Sequence, residues 1–237
     1  MSTVAVTEGG RALVVADGDV PDRAALDRAW PGWDTGLTLI VAADGGARHL
    51  AALELRVDLL VGDFDSLPEA ALLGLAKAGA EVLRSPADKD ESDTELALLA
   101  AAARGVREIT VLGALGGGRF DHAVANLLLL AHPALAGIPV ELVDERTRVT
   151  LVAGPGGDGG PATRPLPGPV GGLVSLLPLA GEAQGVTTGG LAFPLRDESL
   201  PAGPARGLSN VRVNTAAWVS LRRGRLLVIE SRGAGPG

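Results

Sequence analysis

Two aspartates directly follow an apolar run in the stretch VDLLVGDFDS, residues 57–66. Residues 59–61 predict a short strand that is buried on both faces, and Gly62 predicts a tight turn at its end. Asp63 and Asp65 alternate beyond the turn, so we expect both to lie at the carboxyl end of the strand, where open α/β sheets bind ligands. Two close carboxylates repel each other unless a cation lies between them, and oxygen ligands favour Mg²⁺, Mn²⁺ or Ca²⁺. The stretch predicts a divalent-metal site, with a solvated acidic turn as the alternative.

More acidic residues crowd the start of a predicted helix. Asp88, Asp90 and Asp93 lie there together with Lys89. The S-x-x-E pattern that begins at Ser92 is typical of a helix cap, but capping does not explain the three aspartates. One acid near a helix start is unremarkable, because it stabilises the helix by only about 0.3 to 1 kcal/mol. Three acids with a lysine among them indicate a site for metal and phosphate.

A glycine loop lies between a predicted strand and a predicted helix in GALGGGRFDHAVANLLLLAH, residues 113–132. This arrangement is typical of phosphate-binding loops. The first and last glycines of GALGGG have the Walker A spacing, but Arg119 and Phe120 replace the Lys and Ser/Thr of that motif. Phenylalanine cannot hold Mg²⁺, so a metal would be bound by aspartates elsewhere. We expect Arg119 to bind phosphate as a fork and Asp121 to cap the helix, while a lone histidine such as His122 is more often structural than catalytic.

A third candidate loop is AADGGARHLAAL, residues 42–53, at the end of a predicted strand. Asp44 is expected at the tip of that strand. Gly45 and Gly46 would let a ligand approach the start of a helix, because glycine has no side chain to block it.

Strands and helices alternate around these motifs. The predicted strands cover residues 11–16, 37–42, 59–61, 81–83, 109–112 and 140–143, and the predicted helices cover 21–30 and 68–78 and follow Ser92 and Arg119. This alternation predicts an α/β domain over residues 1–145 with a doubly wound, parallel sheet. Short strands every 8 to 12 residues predict an all-β sandwich over 146–232. Residues 154–172 are expected to form a long, flexible loop, and 233–237 a disordered tail.

Composition narrows the class of protein. A chain of 237 residues with 46% hydrophobic composition is long enough for two domains with buried cores. A net charge of -7 without a basic cluster argues against a nucleic-acid partner and tolerates a cationic substrate. The absence of cysteine excludes disulfides and thiolate metal sites and fits a reducing compartment. No run of about 18 apolar residues and no signal-like segment occurs, so we expect a soluble, cytoplasmic protein without a membrane partner.

Seven short motifs, in order along most of the chain, resemble those of the thiamine pyrophosphokinase (thiamine diphosphokinase) family. The motifs are ADGGA at 43–47, GDFDS at 62–66, KDESDTE at 89–95, GGRFDH at 117–122 with Asn126, SLLP at 175–178, TTGGL at 187–191 and GLSN at 207–210. Each motif alone is weak, whereas the ordered set is specific. The chain departs from the family pattern at Val211, where glutamate is frequent, and in the Pro/Gly-rich loop 154–172.

The resemblance implies an α/β nucleotide domain, a β-sandwich and a homodimer with shared active sites. It implies the Mg²⁺-dependent transfer of diphosphate from ATP to thiamine, with thiamine diphosphate and AMP as products. The implied metal ligands are Asp44, Asp63, Asp65 and Asp93, and the implied catalytic residues are Asp63, Asp65, Asp93 and Arg119. The implied nucleotide contacts are Asp44, Gly45, Gly46, Lys89, Asp90, Gly117, Gly118, Arg119, Asp121, His122 and Asn126, and the implied thiamine contacts are Thr188, Ser209 and Asn210.

Two other interpretations of the sequence stay open. Asp63-Phe64-Asp65-Ser66 after an apolar strand also resembles the nucleophile motif of haloacid-dehalogenase-type phosphatases, in which Asp63 would be phosphorylated. The later lysine and paired aspartates of that family are missing in a suitable order, and the second half is β-rich. A non-catalytic regulator that binds nucleotide or thiamine is the third interpretation, because a fold does not fix a function.

Overall fold

The computed structural model describes residues 9–155 and 160–232, and the chain divides into two compact units between Glu145 and Arg146. The predicted disordered tail at 233–237 lies outside the described residues. No helix among the described residues is long and apolar enough to cross a membrane.

The described part of unit 1, residues 9–145, contains six strands and four α-helices. The strands are β1 (Arg11–Val15), β2 (Leu37–Ala43), β3 (Leu59–Gly62), β4 (Glu81–Arg84), β5 (Glu108–Leu112) and β6 (Val140–Val143). The α-helices are α1 (Arg23–Ala29), α2 (Glu69–Lys77), α3 (Asp93–Ala103) and α4 (Phe120–Leu129), and 3₁₀ helices cover Asp44–His49 and Pro133–Leu135.

The strands of unit 1 pair in the order β6-β5-β1-β2-β3-β4, and all of these pairs are parallel. The chain adds β2, β3 and β4 on one side of β1 and then returns to add β5 and β6 on the other side. The strand order therefore reverses between β1 and β5, and ligands of such sheets bind beyond the carboxyl ends of the strands at that switch point. The predicted doubly wound sheet is confirmed.

The central strands read as continuous apolar runs because both of their faces are covered. All four residues of β3 are buried, as are the last four of β1. One core cluster joins Leu13 and Leu60 from the sheet with Leu26 from α1 and Leu72 from α2. Because the strands and helices supply this apolar core, the polar residues lie mainly in the loops at the strand ends.

Two local predictions in unit 1 need correction, and one becomes more specific. Helix α1 is shorter than predicted and starts after Asp22, whose carboxylate accepts a hydrogen bond from the Ala25 N–H at 2.7 Å. The helix expected near Gly45 and Gly46 is present as a 3₁₀ helix over residues 44–49. Asp121 does not cap α4: the capping position belongs to Arg119, and Asp121 lies in the first turn.

Unit 2, from Arg146, has eight strands within its described ranges, 146–155 and 160–232. They are β7 (Thr147–Ala153), β8 (Ala162–Pro165), β9 (Leu173–Pro178), β10 (Ala183–Gly189), β11 (Glu198–Leu200), β12 (Asn210–Val211), β13 (Trp218–Leu221) and β14 (Arg225–Ser231). The predicted continuous loop 154–172 is therefore wrong, because β8 lies inside it and pairs with β13. The shortest of the eight strands is β12, with only two residues.

These strands form two antiparallel layers in the orders β12-β9-β14-β7 and β11-β10-β13-β8. Leu176 and Val228 of the first layer and Val186 and Leu221 of the second belong to one buried cluster. Along β9 and the second half of β10, buried residues alternate with less buried ones, as two packed sheets require, whereas three successive residues are buried in β13 and in β14. The predicted β-sandwich is confirmed.

Candidate active site

Three carboxylates converge at the carboxyl edge of the sheet of unit 1. Asp44 follows β2, Asp63 follows β3 and Asp93 begins α3, and each offers an oxygen within 4.8 Å of the others. Asp44 is only 8% exposed. Its Oδ2 accepts a hydrogen bond from the Ser66 hydroxyl, whereas Oδ1 is buried and has no hydrogen-bond partner among the described residues.

A buried carboxylate oxygen without a partner is costly, and three close carboxylates repel one another. A divalent cation that takes oxygen ligands would relieve both costs. The three side chains therefore fit Mg²⁺ by their chemistry as well as by their spacing.

Backbone conformation at the strand ends brings these carboxylates together. Asp44 and Phe64 have φ angles of 44° and 62°, which non-glycine residues rarely adopt. Gly62 has a φ of 152°, and a Cβ atom there would lie 3.1 Å from Cβ of Asp44. Glycine at this position thus permits the close approach of the loops after β2 and β3. The backbone strain at Asp44 and Phe64 is typical of functional sites.

Lys89 forms an ion pair with Asp93, one of the three converging carboxylates. Its Nζ atom lies 2.7 Å from Oδ1 of Asp93 and 2.8 Å from Oγ of Ser85, and the lysine side chain is only 12% exposed. Ser92 accepts a hydrogen bond from the Glu95 N–H at 3.1 Å, which confirms that Ser92 caps α3. The helix start therefore positions a cation beside the carboxylate group.

The carboxylates open into a cavity of about 520 Å³, a size typical of small-molecule sites. Its acidic lining residues are Asp17, Asp44, Asp63, Glu91 and Asp93, and its permanently cationic ones are Arg48, Lys89 and Arg119. Gly117, Gly118, His122 and Asn126 also line it. Acidic groups outnumber cationic ones, so the cavity repels a bare polyphosphate and favours one that brings a divalent cation.

The loops after β1 and β5 are fastened together at the switch point. The Gly117 N–H donates to Oδ2 of Asp19 at 2.8 Å, and the Gly18 N–H donates to the Gly113 carbonyl at 3.1 Å. A Cβ atom at Gly18 would lie 2.3 Å from the Gly116 carbonyl oxygen, so this position requires glycine. The predicted glycine loop thus has a partner loop that the sequence did not reveal.

Arg119 lines the cavity with a largely exposed side chain and forms a fork with Asp121. Its Nε and Nη2 atoms lie 2.9 and 2.6 Å from the two carboxylate oxygens of Asp121. These hydrogen bonds lower the pKa of Asp121 to about 2 and raise the pKa of Arg119. The same two-point geometry suits a phosphate. Asn126 is buried and donates to the Ala114 carbonyl at 3.1 Å, which holds the base of the loop.

Two predicted acidic residues lie apart from the converged group. Asp65 is exposed, and its N–H donates to Oδ1 of Asp63 at 3.1 Å. Asp90 is exposed and is not among the described residues that line the cavity. The structure thus joins Asp44, rather than Asp65, with Asp63 and Asp93.

Gly45 and Gly46 are buried next to the site, where they allow close packing. A Cβ atom at Gly45 would lie 2.1 Å from Oδ1 of Asp17, and one at Gly46 would lie 2.1 Å from the Val15 carbonyl oxygen. Both glycines therefore bring the loop after β2 against the end of β1.

The predicted thiamine residues lie in unit 2, where two of them fix a loop. Thr188 accepts a hydrogen bond from the Leu195 N–H at 2.9 Å. The Asn210 side chain accepts from the Phe193 N–H at 3.0 Å and donates to the Phe193 carbonyl at 2.7 Å. Ser209 is exposed and has a φ of 56°. Phe193 is 69% exposed, so this loop presents an aromatic residue to its surroundings.

Sequence reasoning missed the residues of the loop after β1 and their partner. Asp17 and Arg48 line the cavity and form an ion pair, with Oδ1 of Asp17 2.6 Å from Nη1 of Arg48. Burial raises the pKa of Asp17, and Arg48 opposes that rise. The signal was an Asp-Gly pair directly after an apolar strand, the same pattern as at Asp44. Such a pair is equally typical of an ordinary turn, and the sequence does not show that β1 and β5 are neighbours.

Two family models match the chain, and both belong to one family. The model described as "Thiamin pyrophosphokinase, catalytic domain" covers residues 34–142, and the model described as "Thiamin pyrophosphokinase, vitamin B1 binding domain" covers residues 166–226. The chain belongs to the thiamine pyrophosphokinase family. Its members are transferases that pass the diphosphate of ATP to thiamine, so the family assignment argues against the phosphatase interpretation of Asp63.

Individual relatives agree with this family. The thiamine pyrophosphokinase of Bacillus subtilis (strain 168) is 26% identical over 98% of this chain and 99% of the relative. Thiamine pyrophosphokinase 1 of Oryza sativa is 27% identical over 76% of this chain and 73% of the relative. A crystal structure of a thiamin pyrophosphokinase family protein from Enterococcus faecalis is 28% identical, with a TM-score of 0.75 over 94% of this chain and 99% of that one.

Proposed function

We propose that this chain catalyses the family's reaction, with the cavity of unit 1 as the site for ATP and Mg²⁺. Thiamine diphosphate and AMP are the products. The observation that carries the proposal is the convergence of Asp44, Asp63 and Asp93 in a cavity that Lys89 and Arg119 also line. A carboxylate group of this kind suits a metal, and the cations beside it suit polyphosphate.

Asp44, Asp63 and Asp93 would hold Mg²⁺, and Asp65 is kept as the fourth predicted ligand. When bound, Mg²⁺ neutralises charge on the phosphate oxygens. Lys89 and Arg119 would contact the polyphosphate. The remaining nucleotide contacts proposed are Gly45, Gly46, Asp90, Gly117, Gly118, Asp121, His122 and Asn126, and the thiamine contacts proposed are Thr188, Ser209 and Asn210.

The direct test is to incubate the purified chain with ATP, Mg²⁺ and thiamine and to identify the products by chromatography and mass spectrometry. We expect thiamine diphosphate and AMP in equal amounts, and no product when EDTA removes the metal. ADP with thiamine monophosphate, or inorganic phosphate alone, would contradict the proposal. Binding of both substrates without any turnover would favour the regulator interpretation.

We also propose a homodimer whose active sites combine residues of both subunits, and a cytoplasmic location. Both are carried over from the family resemblance, and the absence of cysteine fits a reducing compartment. The dimer has a direct test, since a Ser209→Ala subunit and an Asp63→Asn subunit carry their lesions in different units.

Refolding the two variants together should restore part of the activity, because one of the two combined sites would contain neither lesion. Each variant refolded alone is the control. Lack of recovery in heterodimers, verified by differently tagged subunits and with both variants inactive alone, would contradict shared sites.

A further inference from the structure

We infer that Arg48 is a second phosphate-binding arginine of the cavity and that Asp17 positions it. The inference rests on the proposed function, because the phosphate is that of the bound ATP. It concerns a residue that lies outside every motif that carried the family resemblance, although it follows ADGGA directly in the sequence.

Among the described residues, both polar contacts of the Arg48 guanidinium are with Asp17. Its Nη1 atom lies 2.6 Å from Oδ1 of Asp17, and its Nη2 atom donates to the Asp17 carbonyl at 2.7 Å. The side chain is 53% exposed and lines the cavity. A guanidinium has more N–H donors than these two contacts use. An anion can therefore bind to Arg48 while both contacts with Asp17 persist.

Asp17 is a firm anchor for this purpose. Gly45 packs so closely that a Cβ atom there would lie 2.1 Å from Oδ1 of Asp17, and the neighbouring Gly18 donates to the Gly113 carbonyl at 3.1 Å. The loop that carries Asp17 is thus fixed against the loops after β2 and β5. A fixed partner lowers the conformational entropy that Arg48 loses when it binds a ligand.

The strand order places the two arginines on either side of the switch point. Arg48 lies in the 3₁₀ helix after β2, and Arg119 lies in the loop after β5, with β1 between these strands in the sheet. Both side chains line the same cavity. A polyphosphate bound beyond β1 would therefore meet cationic side chains from both neighbouring loops.

The alternative is that Arg48 and Asp17 form only a surface ion pair that joins two loops. Exposed pairs of this kind contribute little to stability. The two roles differ in what they affect, because a phosphate contact changes nucleotide binding whereas a loop contact changes folding or both substrates alike. The test therefore measures ATP and thiamine separately.

We would compare Arg48→Ala, Arg48→Lys and Asp17→Asn with wild type, and use Arg107→Ala as the matched control. Arg107 is exposed and precedes β5, at the opposite edge of the sheet. We expect Arg48→Ala to raise the KM for MgATP by about 10- to 100-fold, as for a lost charged hydrogen bond, with the KM for thiamine unchanged. Arg48→Lys should restore only part of the affinity, because an ammonium group is a point charge. Asp17→Asn should have a smaller effect in the same direction.

Calorimetric binding of a non-hydrolysable ATP analogue with Mg²⁺ supplies a readout that does not require turnover. If wild type forms no thiamine diphosphate, the proposed function fails, while a loss of analogue binding in Arg48→Ala still supports the arginine contact. Unchanged analogue binding in a folded Arg48→Ala protein, or equal weakening of ATP and thiamine, would overturn the inference. If Arg48→Ala does not fold, unchanged analogue binding in both Arg48→Lys and Asp17→Asn would overturn it.

Discussion

A buried carboxylate of unit 1 and two buried polar side chains of unit 2 differ in whether the fold supplies their hydrogen-bond partners. In unit 1, Asp44 keeps a buried carboxylate oxygen without a partner among the described residues, and it lies within 4.8 Å of two more carboxylates. In unit 2, Asn210 uses both its amide oxygen and its amide nitrogen on the backbone of Phe193. The buried Arg212 likewise donates to Glu230 and to the Leu166 carbonyl. Asp44 thus keeps a carboxylate oxygen open to a ligand, whereas Asn210 and Arg212 are hydrogen-bonded within unit 2.

This difference predicts two kinds of mutational effect. A group that the fold leaves without a partner costs stability, so its removal should reduce activity more than stability. A group that is fully paired supports the fold, so its removal should reduce stability first. Variants in the two units can therefore test whether the contrast is real.

The largest effect is expected for Asp63→Asn. Loss of one charge contact at a reacting phosphate commonly lowers the rate by about 100- to 1,000-fold, or about 2.7 to 4 kcal/mol. Thermal unfolding should be unchanged or slightly improved, because repulsion within the carboxylate group falls. The control is Asp197→Asn, which makes the same chemical change at an exposed position of unit 2. Near-normal turnover of Asp63→Asn across a magnesium titration would contradict the assignment.

Asp65→Asn sharpens the same test. The structure keeps Asp65 outside the converged carboxylates, although the sequence predicts it as a ligand. If Asp65→Asn lowered the turnover rate as much as Asp63→Asn does, Asp65 would have to be a metal ligand as the sequence predicts.

The next effect is stabilisation by the metal itself. A ligand that binds only the folded state at 100 times its Kd stabilises it by about 2.7 kcal/mol. We therefore expect Mg²⁺ to raise the thermal midpoint of wild type, and chelation to lower it again. Asp44→Asn should lose this response, since Asp44 carries a buried carboxylate oxygen to which no described residue donates a hydrogen bond. An equal response in the variant would show that Mg²⁺ binds elsewhere.

The sequence predicted the parts of the site that follow strands with a plain apolar pattern. Asp44 and Asp63 are at strand ends, and Ser92 has a capping pattern, so local rules were sufficient. Asp17 and Arg48 were missed because their role depends on which strands are neighbours, and strand order is a property of the whole sheet. Strand β8 was missed for a related reason: Pro and Gly around it are typical of loops, but pairing with β13 outweighs that preference.

In unit 2, the variant that tests the effect of removing a fully paired buried group is Asn210→Ala. It would leave the Phe193 N–H and carbonyl without their side-chain partners, and such losses cost about 1 to 3 kcal/mol. Chemical denaturation should show this as a lower midpoint with an unchanged slope. Ser209→Ala is the neighbouring control, because Ser209 is exposed and should affect thiamine binding more than stability. If Asn210→Ala were as stable as wild type, the hydrogen bonds of Asn210 would not support the fold, and the proposed difference between Asp44 and Asn210 would be wrong.

A smaller effect on nucleotide binding is expected for Arg119→Lys. Lysine cannot reproduce the planar fork that Arg119 forms with Asp121, and that fork suits a phosphate equally well. We expect the KM for MgATP to rise by about tenfold, or about 1.4 kcal/mol, while the KM for thiamine stays unchanged. Unchanged ATP affinity and rate would show that Arg119 is only a solvated loop charge.

The smallest effect is the pH dependence of the Arg119 and Asp121 pair. Hydrogen bonding to Arg119 lowers the pKa of Asp121 from 3.8 to about 2. A lowered pKa means that any contribution of the pair is fully present above pH 3.8 and is lost only as the pH falls toward 2. Titration of Asp121 therefore cannot cause an acid limb in activity between pH 5 and 8. We expect Asp121→Asn to change the KM for MgATP only slightly and to leave the shape of the pH–rate profile intact over that range. A profile that shifts in the variant would show that Asp121 titrates within the working range and that the fork opens during turnover.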